Sequence, residues 1–181
     1  MPKNDNPHAQ RMYQAICAVK DAVHADRFAE AYPLSKSADV DAKCHWALDC
    51  CAYLSNSCTP DDAAQIRRAC RCNDGKTMAN AILAAIRKGD SLAAGCELFS
   101  KQNKYAFLEY VNDHELIFGY HACVCSCIKR SDQYVPLLWC ECSVGYAQSM
   151  FRTVFGESVK VNLLESVKSD GTRCRMKITW A

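Results

Sequence analysis

Apolar residues recur at helical spacing through the first hundred positions and switch to strict alternation after Asn103. Met12, Ile16, Val19 and Val23 predict one helix over 10–30, and Cys44, Leu48, Cys51 and Leu54 share a stripe on a second over 39–56. Thr59-Pro60-Asp61-Asp62 supplies an N-cap hydroxyl, a proline at the first helical position and two acids in the first turn. It predicts a helix through Ile66 to about Cys70. Asn73-Asp74-Gly75 breaks that helix, Met78, Ile82 and Ile86 build another that stops at Gly89, and Asp90-Ser91 caps a last one ending near Gln102.

From Tyr105 the period is two. Tyr105, Phe107 and Val111 lead into the turn Asn112-Asp113-His114. Beyond it Leu116, Phe118, Tyr120, Ala122 and Val124 alternate with Ile117, Gly119, His121, Cys123 and Cys125. A loop over 129–136 precedes a short strand over 137–142. Ser143 then caps a helix closed by Gly156, and strands over 158–167 and 173–180 are joined by Ser169-Asp170-Gly171. The expected fold is α+β in a single domain, 1–181. Its helical half, 1–103, packs on an antiparallel sheet of about five strands that carries one inserted helix, over 104–181.

Composition sharpens the chemistry. Half the residues are apolar, enough for a real core, and a formal net charge of +2 with basic and acidic residues interspersed points away from nucleic acid. No apolar run approaches the roughly 18 residues of a membrane span. Fourteen cysteines are far above ordinary usage. The polar start, Met-Pro-Lys-Asn-Asp-Asn-Pro, has no apolar signal region, so the expectation is a cytoplasmic protein with reduced thiols used for metal or redox chemistry rather than disulfides.

Five of those cysteines fall in two alternating runs, Cys123, Cys125 and Cys127, then Cys140 and Cys142. On neighbouring strands each run would put its sulfurs on one face, and Cys123, Cys125, Cys140 and Cys142 would form a Zn²⁺ or iron–sulfur site. Further ligands would come from Cys70, Cys72, Cys127 or Cys174. Zinc–thiolate sulfurs lie under about 4 Å apart, whereas same-face Cα atoms two residues apart on a regular strand lie nearly 7 Å apart, so a bulge or strand end would be needed. The alternative is that these are small, half-buried apolar side chains. His121, in register with Cys123, is a candidate ligand or general base, or else a hydrogen-bonded bystander.

The segment from Cys123 to Ile178 resembles a known family. Trp139-Cys-Glu-Cys-Ser-Val-Gly-Tyr146, Met150-Phe-Arg-Thr-Val-Phe-Gly156, Val159-Lys-Val-Asn-Leu-Leu-Glu-Ser-Val167 and Gly171-Thr-Arg-Cys-Arg-Met-Lys-Ile178 are similar to the C-terminal half of L-2-amino-thiazoline-4-carboxylic acid hydrolase-like proteins, and more distantly to 4-vinyl reductase-type ligand-binding domains. The resemblance implies helices over an antiparallel sheet, a tendency to homodimers, a cavity for a small molecule and, from the name, opening of a thiazoline ring. In such a hydrolase Glu165 would be the base and Arg173 or Arg175 would hold the substrate carboxylate. The preferred reading of those three residues is a cross-strand ion pair facing solvent. Tyr120, Trp139 and Tyr146, with the two arginines, are the candidate ligand-binding residues. Two functions stand at this point: a cysteine-rich small-molecule-binding domain with a metal or redox thiol site, or a hydrolase of a small sulfur-containing ring.

Overall fold

A computed structural model describes residues 6–181; residues 1–5, at the start of the expected helical half, lie outside the described residues. The chain divides into two compact units. Unit 1 comprises Met1–Arg71 and Cys125–Gly145, and unit 2 comprises Cys72–Val124 and Tyr146–Ala181. The fold class is α+β, as the periodicity requires, and all strands among the described residues follow Asn103.

Unit 1 is helical. Helix α1, Pro7–Val19, starts on Asn6, whose side chain accepts from His8 N, with proline in its first turn. The single helix expected over 10–30 is two. Lys20 leaves helical geometry at φ −109°, ψ −94°, and Asp21, extended at φ −169°, caps α2, Ala22–Ala31, by accepting from His24 N. Helix α3, Val40–Ser57, is capped by Asp39 and buries Cys44, Trp46, Ala47, Cys50, Cys51 and Leu54. Helix α4, Pro60–Ala69, begins as read, with the Thr59 side chain accepting from Asp62 N. Met12, Ile16, Phe28, Leu54 and Ile66 are fully buried, each stabilising the unit by about 1.5–3 kcal/mol relative to exposure. An aromatic cluster joins α2 and α3: Phe28 lies 5.3 Å from Tyr32, 5.0 Å from Tyr53 and 6.4 Å from Trp46, ring to ring.

The fifth strand is absent from the described residues, and its place is the main correction. Residues 137–142 form a single 3₁₀ turn, Leu137–Cys140, running into helix α7, Glu141–Phe155. Pro136, at φ −53°, lets its carbonyl accept from Trp139 N at 2.9 Å, and Glu141 places an acid in the first helical turn. A short apolar run has no period of its own, and here the proline and the acid decide for helix.

Unit 2 carries α5, Lys76–Lys88, α6, Leu92–Gln102, and the sheet of β1 Ala106–Asn112, β2 Glu115–Tyr120, β3 Lys160–Glu165 and β4 Cys174–Thr179. The order is β1-β2-β4-β3, every pairing antiparallel. Leu116, Phe118, Met176 and Ile178 share one face and are wholly buried. Phe151 of α7 meets Phe118 there at 5.4 Å, and Ser100 of α6 bonds Leu108 of β1 through both its N–H and its carbonyl.

Gly119 is required by this sheet, because a Cβ there would stand 2.3 Å from the Cys174 carbonyl oxygen and 2.3 Å from the Phe107 ring. Gly119→Ala is expected to destabilise the protein by about 2 kcal/mol or more in urea unfolding. A loss under about 0.5 kcal/mol would show that β2 and β4 can separate to admit a methyl group.

Candidate functional site

Beta structure stops at Tyr120, so the first cysteine run is not a strand. Cys123 follows β2 in unit 2, while Cys125 and Cys127 lie in unit 1, where the Cys125 carbonyl accepts from Ile128 N and Lys129 N to close a turn. Cys140 ends the 3₁₀ turn and Cys142 stands in the first turn of α7. The alternation that would have aligned the sulfurs of either run is therefore lost.

Among the described residues no group of three or more histidine, cysteine, aspartate or glutamate side chains is arranged to hold a metal ion. Of the further ligands proposed from sequence, Cys70 points its thiol at the Ile66 carbonyl at 3.2 Å and Cys127 at the Lys43 carbonyl at 3.7 Å. Cys72 is exposed, and Cys174 lies 4.0 Å from Ser166 Oγ. These thiols do not present the converging donor set that Zn²⁺ or an iron–sulfur cluster needs.

The sheet separates the other candidates of unit 2 onto two faces. Tyr120 is buried on the core face, 5.1 Å from Phe118, and its side chain bonds Tyr146, whose hydroxyl pKa burial raises. Arg173 and Arg175 lie on the opposite face and reach Glu109 on β1, at 3.0 and 3.6 Å. Glu165 is opposite Arg175 across the β3–β4 ladder, but the ion pairs go to Glu109. His121 is exposed, its ring 5.0 Å from Phe107. His121 and Arg173 thus flank the Phe107 ring, at 5.0 and 4.9 Å, while Tyr120 and Tyr146 lie on the core side of the sheet.

Trp139 leads elsewhere. Above its ring, 3.8 Å from the centroid, lies the guanidinium of Arg67, a residue only 3% exposed. Arg67 Nη2 donates to the Trp139 carbonyl at 2.8 Å. Trp46 packs edge-on to Trp139 at 5.9 Å and donates its own indole N–H to the Tyr32 carbonyl. Trp139 Nε1 and Arg67 Nε are buried with no hydrogen-bond partner, and no carboxylate pairs with Arg67 among the described residues. The local sequence explains the position. Ala63, Ile66, Arg67 and Cys70 fall at i, i+3, i+4 and i+7, so Arg67 occupies the apolar stripe of α4. Its neighbour Arg68 turns outward to Glu141 at 2.7 Å. The first turn of α7 lies hard against α4 here, since a Cβ on Gly145 would stand 2.0 Å from the Arg68 carbonyl oxygen. Cys142, three residues before Gly145, shares that face of α7.

The surroundings of Arg67 are thiols and cations. Burial works against its charge, the cysteines Cys70, Cys142, Cys50 and Cys51 would work for it wherever they ionise, and the net direction is upward. Burial pushes Cys51 up to about 11, Cys127 up to about 12 and Cys50 well above the usual thiol range, with Arg67 opposing in each case. These three are neutral thiols at physiological pH. Burial, then Arg11, Lys43 and Arg67 in that order, push His8 down to about 4. Its Nδ1 lies 3.0 Å from Arg11 Nη2, which donates to it. Arg11 and Lys43 thus act on the same region as a buried guanidinium that no carboxylate pairs with among the described residues.

Arg67 escaped the sequence reading because an arginine in a last helical turn ordinarily complements the helix dipole at the surface. The available signal was its place in the apolar stripe.

The unfolded chain takes up the His8 proton below its ordinary value of 6.5 and the folded chain only below about 4. The stability that His8 contributes is therefore whole above pH 6.5 and lost as pH falls toward 4. After discount for its partial exposure, we expect wild type to lose on the order of 1–2 kcal/mol more than His8→Gln over that window in urea titrations. Parallel losses in the two proteins would refute this account of His8.

No curated protein matches the sequence. The family model that matches spans residues 2–181, and the chain belongs to that family, a family of unknown function designated DUF6144.

Proposed function

We propose that this protein binds a small anionic molecule, of the carboxylate class, through Arg67 in the thiol-rich helical unit. One observation carries the reading. A guanidinium with 3% exposure has a buried Nε without a partner, no carboxylate among the described residues, and beneath it an indole whose Nε1 is also unpartnered. An unsatisfied buried donor costs about 1–3 kcal/mol, and more when charged. Stacking on Trp139 recovers about 2 kcal/mol, and the last turn of α4 adds a fraction of that. Two orphaned N–H groups beside a positive charge are the chemical complement of a carboxylate.

This refines the small-molecule-binding domain expected from the thiols and aromatics, and moves its centre from the cysteine runs to Arg67. The hydrolase implied by the resemblance would also present a carboxylate. Incubation with aminothiazoline carboxylate separates the two, because our reading expects no thiol release.

A residue kept for a ligand rather than for stability can be replaced without unfolding the protein. Arg67→Met is expected to be within about 1 kcal/mol of wild type, or above it. It is also expected to abolish the rise in Tm that a small dicarboxylate such as malonate gives wild type. At a hundred times Kd that rise corresponds to about 2.7 kcal/mol. A loss of 3–5 kcal/mol in Arg67→Met, or a malonate shift that survives it, would mark the arginine as structural.

A further inference from the structure

We infer that β3 is a self-association edge: it pairs antiparallel with β3 of a second copy of this chain, around a twofold axis through Asn162, and joins the two sheets into one. The inference lies wholly in unit 2 and goes beyond the anion reading of Arg67. β1 and β3 are the outer strands of the sheet, and an outer strand presents main-chain N–H and carbonyl groups that another strand can take. The chain treats its two edges differently. On β1, Ser100 Oγ accepts from Leu108 N at 2.8 Å and lies 2.9 Å from the Leu108 carbonyl oxygen, and Asn103 Oδ1 accepts from Ala106 N at 2.9 Å. That edge is closed by side chains.

The bond to Ser100 also fixes which groups of β3 face outward. In an antiparallel sheet, alternate residues of a strand bond to the neighbour on either side. Leu108 faces away from β2, so Phe107 bonds through its main chain with Gly119, Phe118 with Met176, and Lys177 with Asn162. Asn162 therefore faces β4. Val161 and Leu163 turn their N–H and carbonyl groups outward, where nothing among the described residues takes them. The open stretch is bounded at both ends: the Val159 carbonyl already accepts from Gln148 Nε2, and beyond the bulge at Leu164 the main chain of Glu165 faces Arg175 on β4.

Such an edge complements itself in one register. With Asn162 opposite its counterpart, Val161 pairs with Leu163 of the second copy and Leu163 with its Val161, each pair exchanging both main-chain hydrogen bonds across an isologous contact. Moving the axis to Val161 would set Leu163 against the occupied Val159, and moving it to Leu163 would set Val161 against Glu165, which faces β4. Charge agrees with this register. The bulge leaves Lys160, Asn162 and Glu165 on one face, paired across the ladder with Thr179, Lys177 and Arg175, so Lys160 of each copy meets Glu165 of the other. Neither forms an ion pair within its own chain among the described residues. Leu164, 45% exposed, comes across from Lys160 of the other copy, whose methylene stem covers it.

The test is sedimentation equilibrium of the whole chain across a wide concentration range, under reducing conditions that exclude intermolecular disulfides, with amide hydrogen exchange at both ends of the range. The mass is expected to rise from 20.2 kDa, one chain, toward twice that value, while exchange at Val161 and Leu163 slows. Lys160→Glu and Glu165→Lys each bring like charges together at both ends of the contact, and each is expected to weaken self-association by about tenfold at low salt. The double variant restores opposite charges and is expected to return to the wild-type constant. Circular dichroism checks the fold of each. A mass that stays at one chain at every concentration overturns the proposal, and so does an edge that pairs only with an extended segment of another protein. A dimer whose Val161 and Leu163 amides exchange freely, or whose double variant does not recover, overturns it as well. No anion enters the test, so its failure leaves the reading of Arg67 untouched.

Discussion

Unit 1 encloses a guanidinium on an indole face. Arg67 brings a full charge into a helical core, and the neighbouring side chains follow from that fact. Trp139 gives the ring and a carbonyl acceptor, and the 3₁₀ turn after Pro136 holds both in reach. Trp46 fixes the far side of the indole. Gly145 lets α7 close on α4 without a side chain between them. A lysine at position 67 would keep the charge but not the planar stack or the fork of donors. His8 stays neutral chiefly because it is buried, with Arg11, Lys43 and lastly Arg67 opposing a further cation there.

Unit 2 rests on a different principle. Its sheet is apolar on one face, where Phe118 meets Phe151 and the aromatic series runs on through Phe155 to Trp180, stacked at 3.9 Å. The opposite face carries Glu109 between Arg173 and Arg175, and Glu115 with Lys177. These are partly exposed pairs, worth about 0–1 kcal/mol each, and they cover the sheet rather than hold it. Arginine therefore means different things in the two units. On the sheet Arg173 and Arg175 have an acid in Glu109; Arg67 has no carboxylate among the described residues.

The cysteines divide along the same line. Cys44, Cys50, Cys51, Cys96 and Cys127 are buried as small apolar side chains, and burial raises the pKa of the last four. With Cys70, six of the fourteen cysteines are thus buried in packing. Which thiols reach the surface is decided by the fold, and composition does not record that.

The sequence by itself determined everything set by neighbours in the chain. Thr59-Pro60, Asp39 and Ser91 start helices because a side-chain oxygen three residues upstream satisfies a free N–H, an interaction complete within one turn. The change of period at Asn103 located the sheet, since alternation serves only a two-faced surface. Asp21 was also a local cap, overlooked because the apolar stripe runs on through it. Tertiary structure decided the rest. The runs around Cys123 and Cys140 alternate well enough for strands, but a strand needs a neighbour to take its hydrogen bonds, and the ladders of β2 with β1 and β4 end at Tyr120. Arg67 lay in plain view on its stripe, yet its role depends on Trp139, seventy-two positions away. Charge, burial and partner meet there only when the chain is folded.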